Sequence, residues 1–268
     1  HSASFVTRQG QWNLVLTLST CGLLLGVTFY YFVALKRSLR IQAAQARERQ
    51  WALLGRMSAA LAHDIRNPLG AIKGLAQLLN EKPLPGSKSP SYVETIVKEA
   101  GRLEKLVGDL LIFAKPQQPQ LSLFPLSRML GDISALFEQR FQMGQVRLLI
   151  DDESSKLSLR TDYDLLKRVL INLVENSLLA MPGGGNLRLS GKQEPSMKRV
   201  ILQLEDEGES LPGESERLFE PFYTTRASGT GLGLAISRQI IERLGGTIQL
   251  QNRAVGGASC TILLPVNP

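Results

Sequence analysis

The chain has 268 residues, with 31 Lys+Arg against 24 Asp+Glu, two His and two Cys. That length allows one or two folded domains, and 43% apolar residues with 21% charge exclude a disordered chain. So few Cys and His, with one His at residue 1, also exclude a disulfide framework and a His- or Cys-rich metal centre.

The net charge of +7 raises nucleic acid or an anionic membrane as partner. Residues 1–56 hold Arg8, Lys36, Arg37, Arg40, Arg47, Arg49 and Arg56 against Glu48 alone, a net +6, and the other 212 residues share +1. A basic N-terminal part on a neutral body argues against nucleic acid. From Leu14 to Leu35 run 22 uncharged residues. As a helix they would measure about 33 Å, enough to cross a hydrocarbon core. Trp12 and Tyr30/Tyr31 suit the two interfaces, and Lys36, Arg37 and Arg40 put the following chain on the cytoplasmic side. Thr17, Ser19, Thr20 and Thr28 can return their hydroxyls to backbone carbonyls. Residues 1–13 then read as the end of an extracytoplasmic region and 36–56 as a juxtamembrane helix that feeds directly into a helical hairpin. Cys21 and Cys260 read as packed thiols.

Residues 41–80 are rich in Ala, Leu, Gln and Arg and predict a helix. Three prolines and a glycine break the pattern over 80–90. Ser91 and Glu94 then form a capping-box pattern. Val93, Ile96, Ala100, Leu103, Val107, Leu110 and Ala114 step by three and four, a heptad seam that predicts helix–helix packing. Two long helices with a short loop predict an antiparallel hairpin, and a lone hairpin leaves apolar surface that pairing into a dimeric four-helix bundle would cover. His63 is the only internal histidine. On a helix it shares a face with Asn67, and Asp64 is placed to accept its proton. Pro68 removes the partner of the Asp64 carbonyl and predicts a bend.

From about Gln120 the chain reads as an α/β body. Strands are predicted at 146–150, 186–191, 199–206, 247–252 and 258–265, and helices at 125–143, 162–181 and 231–245. Four stretches there suit a nucleotide. Asn172 and Asn176 lie one turn apart, and an amide oxygen ligates Mg²⁺ without adding charge beside a triphosphate. Asp206, at a strand end with Gly208 after it, can accept a hydrogen bond from an adenine amino group. The run from Leu218 to Arg226 holds Phe219, which can pack a mobile segment, and Arg226, which can reach a phosphate. Gly229-Thr230-Gly231-Leu232-Gly233 enters a helix, where backbone N–H groups approach phosphates. Each stretch alone is a weak signal; a lone Gly-x-Gly-x-Gly is often only a turn.

In order, HDIRNPL, NLVENS, DEG, LFEPFYTT and GTGLGL resemble the motifs of bacterial two-component sensor histidine kinases, over about residues 50–266. The wording between Phe222 and Gly229 looks closest to the nitrogen-regulatory and zinc-responsive sensors. After the transmembrane helix read at 14–35, the resemblance implies a homodimerising phosphotransfer hairpin at 57–118 and an α/β sandwich of Bergerat ATP-binding type at 119–268. It further implies that His63 takes the γ-phosphoryl group of ATP on Nε2 while Asp64 orients the ring. The group then passes to an aspartate on the receiver domain of a response regulator. Asn176 would hold Mg²⁺, with Asn172 supporting the attack geometry or the metal shell. Asp206 would read adenine. Arg226, Thr230 and the Gly231–Leu232–Gly233 backbone would hold phosphates, with Gly208, Phe219, Thr225 and Gly229 completing the nucleotide set. Asn67 fits the family's phosphatase position, orienting a water toward the regulator's acyl phosphate.

Three departures from the family pattern stand out. Ser210 replaces a glycine, which predicts strain in any left-handed turn there. Glu205, Glu207 and Glu209 add negative charge near a nucleotide, and Leu179 stands where many relatives have a polar or basic group. These leave a second reading open, a degenerate nucleotide-binding scaffold or phosphatase-biased sensor.

Overall fold

The computed structural model describes residues 20–38, 41, 55, 58–81, 89–114, 118–213, 215–226 and 229–266, in two units, 1–62 and 63–268. In the first unit, residues 20–38 form helix α1. Thr28 donates its hydroxyl to the carbonyls of Leu24 and Leu25, each at 2.9 Å, as expected of a hydroxyl on an apolar helix. Leu23, Leu24, Phe29 and Tyr30 are exposed. Among the described residues no helix is long and apolar enough to cross a membrane. Residues 14–19 of the expected span, and most of the expected juxtamembrane helix, lie outside the described residues.

Helix α2 (Ser58–Glu81) carries Asp64 and Asn67 on its backbone together with His63, and it continues through Pro68. The helix is therefore not broken where the proline sits; Pro68 is buried. Helix α3 runs Ser89–Ala114. It begins two residues before the expected cap: Ser91 is inside it, its carbonyl accepting the Thr95 hydroxyl at 2.8 Å. The predicted seam is not the buried face of α3. Val93, Ala100 and Val107 are exposed and Ile96, Leu103, Leu110 and Ala114 half-buried, while Leu106, Asp109 and Phe113 are buried. Heptad spacing identifies an apolar stripe but not which body will cover it. Here the buried line is the one toward the α/β body, where α3 meets the helix at Gly233–Arg243.

That body has two strand systems. β1 (Ser122–Pro125) pairs antiparallel with β3 (Ser158–Thr161), a ribbon that the strand pattern of the sequence does not predict. A five-stranded sheet has the order β2 (Val146–Ile150), β4 (Gly185–Glu194), β5 (Arg199–Asp206), β7 (Ala258–Pro265), β6 (Thr247–Asn252). Only β2 and β4 run parallel. Burial alternates along the central strands, so Leu187/Leu189, Val200/Leu202/Leu204 and Cys260/Ile262/Leu264 face one side. On that side lie α4 (Leu126–Met143), α6 (Tyr163–Ala180) and α7 (Gly233–Arg243), each burying one stripe. A short helix α5 (Asp152–Ser155) comes after β2. One-sided burial of a mixed sheet under helices gives a two-layer α/β sandwich. The alternation has one further result: the last buried position of β5 is Asp206, a carboxylate delivered to the helix-covered end of the sheet.

Candidate active site

A cleft of about 580 Å³ opens beside α6, roofed by the chain between β5 and α7. Its closed end is built on Asp206, which is 4% exposed. The Asp206 Oδ1 atom accepts from the backbone N–H of Gly208 and of Ala258, both at 3.1 Å. Its Oδ2 accepts from the Ser177 hydroxyl at 2.8 Å. Arg253 donates to the Asp206 carbonyl at 2.7 Å. Gly257, with φ of 81°, lies so close that a Cβ there would collide with the same carbonyl. Gly208 does not line the cleft; a Cβ on it would meet the Ala180 carbonyl at 2.5 Å, so its role is to let the chain pass the end of α6. Leu204, Leu250, Ala258 and Cys260 give this end apolar walls. Burial, then the Asp206 charge, pushes the Cys260 thiol up to about 12, so it behaves as an inert packed group.

The other end is polar. Asn172 and Asn176 both line it from α6. Asn172 donates its amide to the Ser237 hydroxyl at 3.0 Å, and Ser237 donates to the Gly233 carbonyl at 2.9 Å. A Cβ on Gly233 would collide with the Asn172 amide. Asn172 therefore fixes α6 against the first turn of α7. Asn176 is differently placed: Arg226 donates to its Oδ1 at 3.3 Å and to its backbone carbonyl at 3.1 Å. The amide oxygen expected to meet a cation is thus already in contact with one, a guanidinium, and as a neutral hard-oxygen donor it fits Mg²⁺.

Between these ends lie the described residues, 222–226 and 229–231, of the segment from Phe222 to Gly231. Its two ends are tied, Phe222 N–H donating to the Gly231 carbonyl at 2.9 Å. Both residues sit at positive φ, and a Cβ on Gly231 would collide with the Phe222 backbone. Within the loop, Thr224 Oγ accepts from the Arg226 N–H at 3.1 Å, and Gly229 N–H donates to the Arg226 carbonyl at 3.1 Å. Thr225, Gly229, Thr230 and Gly231 line the cleft. Thr230 Oγ accepts from Leu232 N–H at 3.3 Å. Phe219 and Leu232 are buried instead, with the Arg238 guanidinium 3.9 Å over the Phe219 ring. They anchor the roof and do not line the cleft.

Two further expectations change. Ser210 is not among the described non-glycine residues at positive φ, which are Gln145, Lys198 and Phe222. The backbone does not make the left-handed turn there, so the strain expected of a serine does not arise. Of the three glutamates, only Glu209 lines the cleft. Glu207 is held by the Asn186 backbone N–H at 2.9 Å and its side-chain amide, hydrogen bonds that keep its carboxyl below the usual range. Glu205 faces Arg253 at 3.7 Å. Leu179 is exposed on the rim.

Sequence motifs do not reveal a contribution from α3. Arg102, Lys105 and Asp109 line the same cleft. Lys105 pairs with Glu175, which also accepts from Arg140 at 3.3 Å. Asp109 pairs with Arg168 at 2.7 Å. Burial holds the Asp109 carboxyl above the usual range against the pull of Arg168, and its Oδ2 has no hydrogen-bond partner. These partners stand 59 and 70 residues apart, and no local spacing announces them. Helix α2, with His63, Asp64 and Asn67, supplies no described lining residue.

Comparison with known proteins matches two families. Residues 53–119 match the His Kinase A (phospho-acceptor) domain, and 161–268 match the histidine kinase-, DNA gyrase B- and HSP90-like ATPase. The chain is 34% identical to sensor histidine kinase ZraS of Salmonella typhi over 97% of its length and 57% of the relative's. It is 32% identical to sporulation kinase D of Bacillus subtilis over 95% of its length and 51% of the relative's. The chain thus spans a little over half the length of these relatives. Among solved structures, histidine kinase ThkA in complex with response regulator protein TrrA aligns with a TM-score of 0.70 at 29% identity, covering 83% of this chain and 64% of that one. The ThkA catalytic domain alone aligns at 30% identity and a TM-score of 0.51, over 56% of this chain and 99% of that one.

Proposed function

The chain belongs to the histidine kinase family, and from that premise we propose that it is an ATP-dependent protein-histidine kinase acting in a two-component system. The observation that carries the proposal is the polarity of the cleft. One end offers a buried, fixed acceptor, Asp206, between apolar walls; the other offers Asn176, Arg226 and the N-terminus of α7. That is the arrangement an adenine and a polyphosphate need, in a volume of the right order for a nucleotide.

In this reading Asp206 accepts from the adenine amino group. Arg226 leaves Asn176 for a phosphate oxygen, and the N–H groups at the start of α7 face the phosphates. Asn176 and the phosphates would hold Mg²⁺, which supplies charge neutralisation. His63 attacks the γ-phosphorus; the N–P bond forms as the bond to the bridging oxygen breaks and ADP leaves. Asp64 orients the imidazole. His63 then passes the phosphoryl group to an aspartate on a response regulator, the class of partner that ThkA carries in its solved complex. Asn67, exposed on α2, would orient a water toward the regulator's acyl phosphate, whose hydrolysis releases inorganic phosphate. The exposed seam residues Val93 and Val107 support a homodimer through α2 and α3. The uncharged run 14–35, with exposed apolar side chains on α1 and basic residues after it, supports a span in a bacterial inner membrane with the later residues cytoplasmic. The scaffold reading loses its main support, because Ser210 carries no left-handed strain.

Incubating the full chain with γ-labelled ATP and Mg²⁺ tests this. The expected result is acid-labile, alkali-stable label, abolished in His63→Gln while nucleotide binding persists. Label retained by His63→Gln, or nucleotide bound without label under any condition, would overturn the kinase assignment.

A further inference from the structure

Ser177 stands directly after Asn176 on α6 and entered none of the sequence motifs as a functional residue. It is 4% exposed, lines the cleft, and directs its hydroxyl at Asp206 Oδ2. An ionised carboxylate has about four acceptor positions. On Asp206, two backbone N–H groups occupy Oδ1 and Ser177 occupies one position on Oδ2. One acceptor position remains, on the oxygen that Ser177 holds.

The hydroxyl matters in a second way. A serine has a single O–H hydrogen. Here it is committed to Asp206, so toward the cleft the Ser177 oxygen presents lone pairs only. Asp206 Oδ2 and Ser177 Oγ, 2.8 Å apart, therefore form a two-atom edge that accepts and does not donate. A purine with an amino group at position 6 meets that edge with hydrogens. A purine with a carbonyl there meets it with a third set of lone pairs in a buried, apolar-walled end, where unpaired polar contacts are costly.

We infer that Ser177 is a specificity-determining residue of this site: by committing its hydrogen to Asp206 it fixes an acceptor-only edge that selects 6-amino over 6-oxo purine nucleotides. The inference rests on the reading of the cleft as a nucleotide site and adds to it a residue of this chain. Without the hydroxyl, Oδ2 regains a free position and a carboxylate rotamer no longer pinned on both oxygens. A water molecule entering the vacated space would present a hydrogen as readily as a lone pair, and the edge would no longer be acceptor-only.

The test compares ADP with IDP, which differ at position 6 in this respect, by equilibrium binding to the full chain as wild type, Ser177→Ala and Ser177→Thr. Wild type is expected to prefer ADP. In Ser177→Ala the ratio of ADP to IDP affinity falls about tenfold, the scale of one hydrogen bond to a charged group. In Ser177→Thr, which keeps the hydroxyl, the ratio stays near wild type. A purely structural role would weaken both nucleotides alike and leave the ratio unchanged in Ser177→Ala; that result overturns the inference while leaving the nucleotide site intact. A ratio lost equally in Ser177→Thr overturns it as well, since the hydroxyl would not be what matters. Failure of wild type to bind either nucleotide overturns the nucleotide reading itself, and this inference with it.

Discussion

Strands β4, β5 and β7 and helices α4, α6 and α7 bury their apolar stripes against one another, so that Leu126, Met129, Ile133, Leu187 and Ile241 are at most 1% exposed. Helices α2 and α3 do not reach that state. Leu69, Leu78, Val93, Val97, Val107 and Leu111 remain exposed, and the buried side of α3 includes a carboxylate, Asp109. The two regions thus differ in completeness. The α/β body is a finished core with a polar cleft cut into one end, and the helical pair is an unfinished core that carries the histidine. In the proposed reaction the phosphoryl acceptor stands on the incomplete element and the nucleotide on the complete one, and the two must meet and separate.

The largest effect expected from this contrast is confined to the body. Asp206→Asn replaces an acceptor that satisfies three donors, two of these bonds fully buried, with an amide that presents two hydrogens of its own. Nucleotide affinity should fall on the order of a hundredfold, and stability by about 1–3 kcal/mol, from the donors left unmatched. Isothermal titration with ADP and thermal unfolding measure the two. Because α2 and α3 do not depend on Asp206, association of the chain should be unchanged by sedimentation. A variant that loses association along with nucleotide would show that the two regions are not separable in this way.

The converse substitution belongs to the helices. Val107→Asp places a charge on the exposed seam of α3. In the isolated chain this should change stability by no more than about 0.5 kcal/mol, as surface substitutions do. If the seam is the face by which two copies pair, their association should weaken at least about tenfold, because a charge would be taken out of water with no partner. ADP binding should stay at the wild-type value. Unaltered association would move the dimer surface elsewhere on α2 and α3.

The same contrast explains what could be read from sequence. Five of the strands and the three long helices of the body were legible, because a sheet covered on one side writes its alternation into the residues: RVILQLED is observed as β5 over its whole predicted length. The motifs that line the cleft were legible for a related reason, since a glycine that must sit under Phe222 or an asparagine that must face a cleft leaves little choice of residue. Three things were not legible. The β1–β3 ribbon is four residues a side, too short for periodicity to separate from loop. The face of α3 that is covered within the chain depends on where the body docks, which the heptad does not encode. Ser177 and Lys105 act through partners 29 and 70 residues away. Ser210 shows the opposite error, a strain inferred from a family pattern that this backbone does not follow.

The smallest effect concerns one polar link between the two regions, Asp109 of α3 on Arg168 of α6. Asp109 is buried but Arg168 keeps 39% of its side chain exposed, and Asp109 Oδ2 has no hydrogen-bond partner. Desolvation outweighs the attraction of Arg168, so the Asp109 carboxyl lies above its usual range. A carboxyl raised on folding favours the folded state most when protonated. Its contribution is complete below the unfolded value and is lost as pH rises through the folded one, from the acid range toward neutrality. Asp109→Asn mimics the protonated form and cannot titrate. At neutral pH the variant should therefore lie within about 1 kcal/mol of wild type, although an ion pair has been removed. Its stability should also vary less with pH on the acid side, as thermal unfolding from the acid range to neutrality would show. A loss of about 3–5 kcal/mol at neutral pH is what breaking a well-matched buried pair costs, and that result would make Asp109–Arg168 a fixed joint. A weak joint is the expectation that fits the comparison. The docking of α3 on the body then rests on Leu106, Phe113 and the Lys105–Glu175 pair, and not on Asp109–Arg168.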